Sequence, residues 1–182
     1  MNREQALSEV QGRVCNPNLI KHMLATEAVM RALAERLGED VEDWGLAGLL
    51  HDVDLEVCKG DLAVHGQMSA EMARRMGVSE AVCHAIECHS TEGESCQSLL
   101  DKALYCADPV TGLITAGALI RAEKKLAIVE SRSILKRFKE KSFAAGANRE
   151  QIARCADIGL PLEEFIGLSL KAMQGISDQL GL

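Results

Sequence analysis

Apolar residues recur at the helical period along nearly the whole chain, and no stretch alternates at the two-residue period of a half-buried strand. Asn16 followed by Pro17 is a cap and first-turn signal, and Leu19, Met23, Met30, Leu33 and Leu37 run along one face to Gly38, where the helix should stop. The next apolar segment predicts a helix over about Val41–Val53, followed by a loop over Leu55–Val64. Then come Gly66–Met76, with Met68, Met72 and Met76 on one side, and Ser79–Ser90, with Val82, Ala85 and Ile86 turned inward. Leu100, Leu104 and Asp108 follow at four-residue spacing on a helix after Ser95, which Pro109 is expected to break.

Beyond Thr111 the chain is apolar over Leu113–Ile120 and then basic over Arg121–Lys141. Leu126, Ile128, Val129, Ile134, Leu135 and Phe138 are expected on the buried side of that stretch, and Lys136–Lys141 reads as a solvated face. Asn148 or Arg149 opens a helix to Ile158 that Gly159 ends, and Pro161 opens the last one, to Leu180, with Gly181 as its stop. A chain of 182 residues is long enough for one sizeable core, and its many Ala, Leu, Glu, Lys and Arg favour helix. The expectation is an all-α single domain over residues 1–182, with helices after about residue 111 packing on the earlier ones.

Several polar side chains share the inward faces. His22 lies with the Leu19 stripe, and His65 sits one turn before Met68 on the same side. His89 continues the Val82–Ile86 stripe, whereas His84 is displaced from it by about 140°, so His89 should face inward and His84 outward. His51 and Asp52 are adjacent, and neighbours on a helix diverge by about 100°, so both reach one point only where a helix is ending. Asp108 is the polar end of an apolar face. Buried charges without partners are expensive. Taken together, His22, His51, Asp52, His65, His89 and Asp108 outline a metal site whose imidazole and carboxylate ligands suit Fe, Mn, Ni or Zn. Cys83 and Cys88, five apart on a helix, point in different directions and do not form a zinc clip. The seven cysteines read as free thiols.

The order His22, His51-Asp52, His65, His89, Asp108, with Asp108 directly before Pro109, resembles the HD superfamily of metal-dependent phosphohydrolases from about Asn16 to about Val110. The wording Leu104-Tyr-Cys-Ala-Asp108-Pro is similar to that of small bacterial and archaeal members. The resemblance implies a helical bundle with the metal site between helices. Members with two histidines beyond the basic four ligands hold two ions, so it implies Asp52 as bridge, His22, His51 and Asp108 on one ion, and His65 and His89 on the other. It also implies hydrolysis of a phosphoester or phosphoanhydride in a nucleotide-like molecule. Where several members carry a Lys or Glu three residues after the Asp of the pair, this chain has Leu55. Asp54 and Glu56 flank it and, with Asp52, are the candidate catalytic carboxylates. Two other functions fit the same resemblance: a mixed-valent di-iron oxygenase and a noncatalytic signalling module.

The net charge of −7 and pI near 5.3 disfavour a nucleic acid polymer as partner and favour a small phosphorylated substrate. Arg3, Glu4 and Glu9 interrupt what would be a signal-peptide core, and Pro109–Ile120 falls short of the roughly 18 residues a span needs. The expectation is a cytoplasmic protein without membrane contact. Apolar faces in the last third leave room for a homodimer.

Overall fold

Caps set the helix starts. In the computed structural model, which describes all residues except Leu62, Glu92 and Glu94, Asn2 and Gln5 form a reciprocal capping box ahead of α1 (Arg3–Arg13). The hydrophobic pattern gave little sign of α1, because it buries only Ala6 and Val10. Asn16 accepts from the Asn18 N–H to open α2 (Pro17–Leu37), which ends at Gly38 with φ 77°. Asp40 caps α3 (Val41–Leu50) by accepting from Glu42 and Asp43. Next come α4 (Gln67–Arg75), α5 (Glu80–His89) and α6 (Leu99–Leu119), the last opened by a Ser98–Asp101 capping box. The remainder is α7 (Ser131–Phe138), α8 (Arg149–Ala153), α9 (Leu162–Gly175) and α10 (Ser177–Leu180), with 3₁₀ turns at Leu126–Ile128 and Arg154–Ile158. The architecture is all-helical, with no strand among the described residues. Every helix contributes to one buried apolar cluster reaching from Ala6 to Leu180.

Three expectations are corrected. Pro109 does not break its helix: α6 continues ten residues past it to Leu119. Proline removes a donor and clashes with the preceding turn at a cost of about 3 kcal/mol. That cost is offset because Pro109 is itself buried and Val110, Leu113, Ile114 and Ala118 beyond it are solvent-free. Ile128, expected inside, is 45% exposed, because a 3₁₀ turn rather than an α-helix carries it and turns it away from Leu126. The last helix is divided at Ile176, so α9 and α10 replace one continuous element. Leu62, inside the expected loop, lies outside the described residues.

The pairing of α2 with α3 positions the site. Gly48 of α3 lies against the α2 backbone so closely that a Cβ there would stand 2.8 Å from the Thr26 carbonyl group and the Glu27 nitrogen. Glu27, almost fully buried, fixes the same pairing electrostatically. It accepts from Arg3 and from Arg31, and Arg31 also grips Glu42 with both terminal nitrogens, at 2.8 and 2.9 Å. A buried carboxylate is tolerated because two guanidinium groups satisfy it.

Candidate metal centre

His22 comes from the second turn of α2, His51 from the end of α3, and Asp52 from the turn immediately after it. His65 precedes α4, His89 is the last residue of α5, and Asp108 lies mid-way along α6. Five separate stretches of chain thus deliver the six expected side chains to one point.

Each histidine is oriented by what its Nδ1 contacts. His51 Nδ1–H donates to the Gly48 carbonyl at 2.8 Å, and His89 Nδ1–H donates to the Ile86 carbonyl. His65 Nδ1–H donates to Asp54 Oδ1 at 2.8 Å. Thr111 already gives its hydroxyl proton to the Asp108 carbonyl at 2.8 Å, so at 3.1 Å from His22 Nδ1 it acts as acceptor. With all four Nδ1 atoms donating, all four Nε2 atoms face the centre.

There the Nε2 atoms meet the carboxylates. His22 Nε2 is 3.0 Å from Asp108 Oδ1, 3.1 Å from His51 Nε2 and 3.4 Å from Asp52 Oδ2. His51 Nε2 is 3.5 Å from the same Asp52 oxygen and 3.7 Å from Asp108. The other oxygen of Asp52 turns to the remaining pair: His65 Nε2 and His89 Nε2 each lie 3.4 Å from Oδ1. His89 Nε2 is buried and makes no hydrogen bond among the described residues. An orphaned imidazole nitrogen, a second pair of imidazole Nε2 atoms 3.1 Å apart and a mixed N/O donor set fit a divalent cation.

A model of the HD domain matches residues 19–113. The chain belongs to the HD-domain superfamily of metal-dependent phosphohydrolases. Among curated proteins it is 27% identical over 136 residues to ribonuclease Y of Lawsonia intracellularis, covering 73% of this chain and 26% of that protein. It is 33% identical to ribonuclease Y of Chloroflexus aurantiacus and 34% identical to that of Geobacter sulfurreducens, each over 95 residues, 52% of this chain and 18% of the relative. The chain spans about a quarter or less of the length of these curated relatives. Among the described residues no helix is long and apolar enough to cross a membrane.

The HD site is strongly polarised. Burial by itself would push the His51 imidazolium down, but the carboxylates of Asp52 and Asp108 reverse this and hold it at about 9. Burial likewise opposes the charged forms of Asp52 and Asp108. The surrounding histidines prevail, and both carboxyls lie below their usual range. His65 is raised too, its burial outweighed by Asp54 and then Asp52.

The expectation that all six side chains are enclosed holds only in part. His51 and His89 are sealed in, whereas His22 and Asp108 are 26% and 28% exposed and form the rim. Two cavities open there. One, of about 460 Å³, is lined by Lys21, His22, Gly112 and the C-terminal residues from Leu180; the other, of about 340 Å³, by His22, Asp108, Gly112 and the Ala144–Ala147 segment. Arg149 holds that segment in place by donating to the Phe143, Ala144 and Ala147 carbonyls.

Asp54 and Glu56, the other two candidate carboxylates, each make defined contacts. Asp54 is fully buried, with Oδ1 on His65 and Oδ2 accepting from the Gly66 and Ser69 N–H groups at 2.9 and 3.1 Å. Glu56 accepts from the Cys15 and Asn16 N–H groups at 2.9 and 2.6 Å, pinning the post-HD loop to the start of α2. Thr111 was not anticipated as a contributor. Its only sequence signal is its position three residues after Asp108, on the same helical face.

Proposed function

We propose that this HD protein hydrolyses a phosphoester or phosphoanhydride bond in a small nucleotide-like molecule at a dinuclear centre. The observation that carries this reading is the division of the Asp52 carboxylate, with Oδ2 toward His22 and His51 and Oδ1 toward His65 and His89. One ion would be held by His22, His51, Asp52 and Asp108, and the second by Asp52, His65 and His89. Such ions, of Fe, Mn, Ni or Zn, supply a water acidified to a pKa near ~7 and neutralise charge on the phosphoryl oxygens. Asp54 orients the ring of His65 and Thr111 that of His22, so each Nε2 already points at the centre when a cation arrives to take the place of any proton there. The substrate would enter at the His22–Asp108 rim, where Lys21 offers a compact positive charge to a phosphate and the small residues of the Ala144–Ala147 segment leave width for a base.

A second reading takes RNA as substrate, because the relatives at 27–34% identity are named ribonuclease Y. The net charge of −7 and cavities of a few hundred Å³ favour the small molecule. The test begins with the metal content of protein purified without added metal. It continues with nucleotides, dinucleotides and an RNA oligonucleotide as substrates, with oxygen uptake followed in parallel on iron-loaded protein. Turnover of a nucleotide or dinucleotide, abolished together with metal retention in His51→Ala and Asp52→Ala, is expected. Turnover of RNA alone, or oxygen consumption without phosphate release, would overturn the proposal.

A further inference from the structure

On the far side of α5 from His89, a second group of donors meets with no part in the HD centre. His84 and Cys88 are four residues apart on one face of α5, and Asp101 reaches them from the first turn of α6. His84 Nδ1 is 3.6 Å from Cys88 Sγ and 3.1 Å from Asp101 Oδ2. Donor atoms around a tetrahedral zinc, with Zn–N and Zn–O near 2.0–2.1 Å and Zn–S near 2.3 Å, stand about 3.3–3.6 Å apart. These two separations are close to those edges, and all three donor atoms lie within 4.8 Å of one another.

A helix cap and an ion pair account for only part of this arrangement. Asp101 Oδ2 accepts from the Gln97 and Ser98 N–H groups at 3.0 and 2.9 Å and faces His84, which satisfies it fully as a cap. The other oxygen, Oδ1, belongs to a side chain that is 1% exposed and has no hydrogen-bond partner among the described residues. Buried acceptors are seldom left so. Cys88 is equally buried and packs with Cys96 and Tyr105 in a small cluster separate from the main core, while the His84 ring stands half in solvent and can pivot to offer a lone pair.

We propose that His84, Cys88 and Asp101 form a second metal site, suited to Zn²⁺, that ties α5 to the start of α6 and leaves its fourth position to solvent on the exposed side of His84. A thiolate, an imidazole and a carboxylate are the donor mix zinc accepts most readily, and the i, i+4 pair on α5 supplies two of them from one rigid element.

The HD centre offers imidazole and carboxylate donors, so a thiolate signature separates the two sites. The test is a titration of the reduced, full-length chain with Co²⁺ as a zinc surrogate, followed by near-ultraviolet thiolate-to-cobalt charge-transfer absorption. The expected result is a band that persists in His22→Ala and Cys58→Ser, disappears in Cys88→Ser, and requires at least tenfold more Co²⁺ in His84→Ala. The exposed His84 site keeps the test decisive even if Cys88→Ser fails to fold. Absence of the band in the unaltered protein, its loss in Cys58→Ser, or an unchanged titration in His84→Ala would overturn the proposal. None of these outcomes bears on the hydrolase reading, which rests on other residues.

Discussion

Asp54 Oδ1 accepts the Nδ1 proton of His65 at 2.8 Å, and its second oxygen is held by the Gly66 and Ser69 backbone N–H groups. The carboxylate is therefore immobile, and through it His65 presents Nε2 to Asp52. Burial would raise the Asp54 carboxyl, but His65 and the backbone donors keep it below its usual range, which favours the anion.

Replacing that anion with an amide tests its role. Asp54→Asn keeps the shape but removes the charge that makes His65 a better donor, and it sets an amide N–H against either His65 or the backbone donors. Metal affinity is expected to fall about 10–100-fold, the usual range for losing a partner behind a ligating histidine. Calorimetric metal titration checks this. An unchanged affinity would mean that Asp54 serves only to shape the loop before α4.

Protonation of His51 gives the centre a defined pH response. The folded protein holds this group at about 9, above the ordinary value near ~6.5, so its contribution to metal-free stability is complete below ~6.5 and is lost as pH rises through 9. The size is about 3 kcal/mol at most. Urea midpoints of the metal-free protein are expected to fall between pH 7 and 9.5. Metal binding should run the other way. A cation needs the Nε2 lone pair, so the proton must leave, and apparent affinity is expected to rise with pH up to about 9, by at most tenfold per unit, and then level off. An affinity independent of pH across this interval would show that His51 binds no proton in competition with the metal.

Much of this was legible in the residues, and the failures have physical causes. The offset of about 140° on α5 correctly sent His89 inward and His84 outward. Asn16, Gly38 and Gly159 begin or end helices where local chemistry says they should, because caps depend only on a few neighbouring residues. Pro109 misled because the apolar residues after it are buried by partners far away in sequence, and tertiary burial overrode a local penalty. Glu56 accepts from N–H groups some 40 residues earlier, a pairing no local pattern reveals. The partnership of Thr111 with His22 spans 89 residues and was hidden for the same reason.

Two glycine substitutions should act in opposite directions. At Gly48 a methyl group would meet the Thr26 carbonyl carbon and oxygen and the Glu27 nitrogen at 2.8 Å, all backbone atoms of α2 that cannot swing aside. Gly48→Ala must then push α3 away from α2, at about 1–3 kcal/mol for overpacking, which for a chain of this size lowers Tm by roughly 2–10 °C. The same displacement separates His51 on α3 from His22 on α2, now 3.1 Å apart, so metal affinity should fall along with stability. At Gly167, inside α9, the added Cβ meets nothing within 4 Å. There the substitution only removes backbone freedom from the unfolded chain, and Gly167→Ala is expected to stabilise by about 0.5–1 kcal/mol without changing metal binding. Thermal melts and metal titrations of both variants decide the matter. A Gly48→Ala protein with unaltered metal affinity would show that the α2–α3 spacing does not set the geometry of the centre.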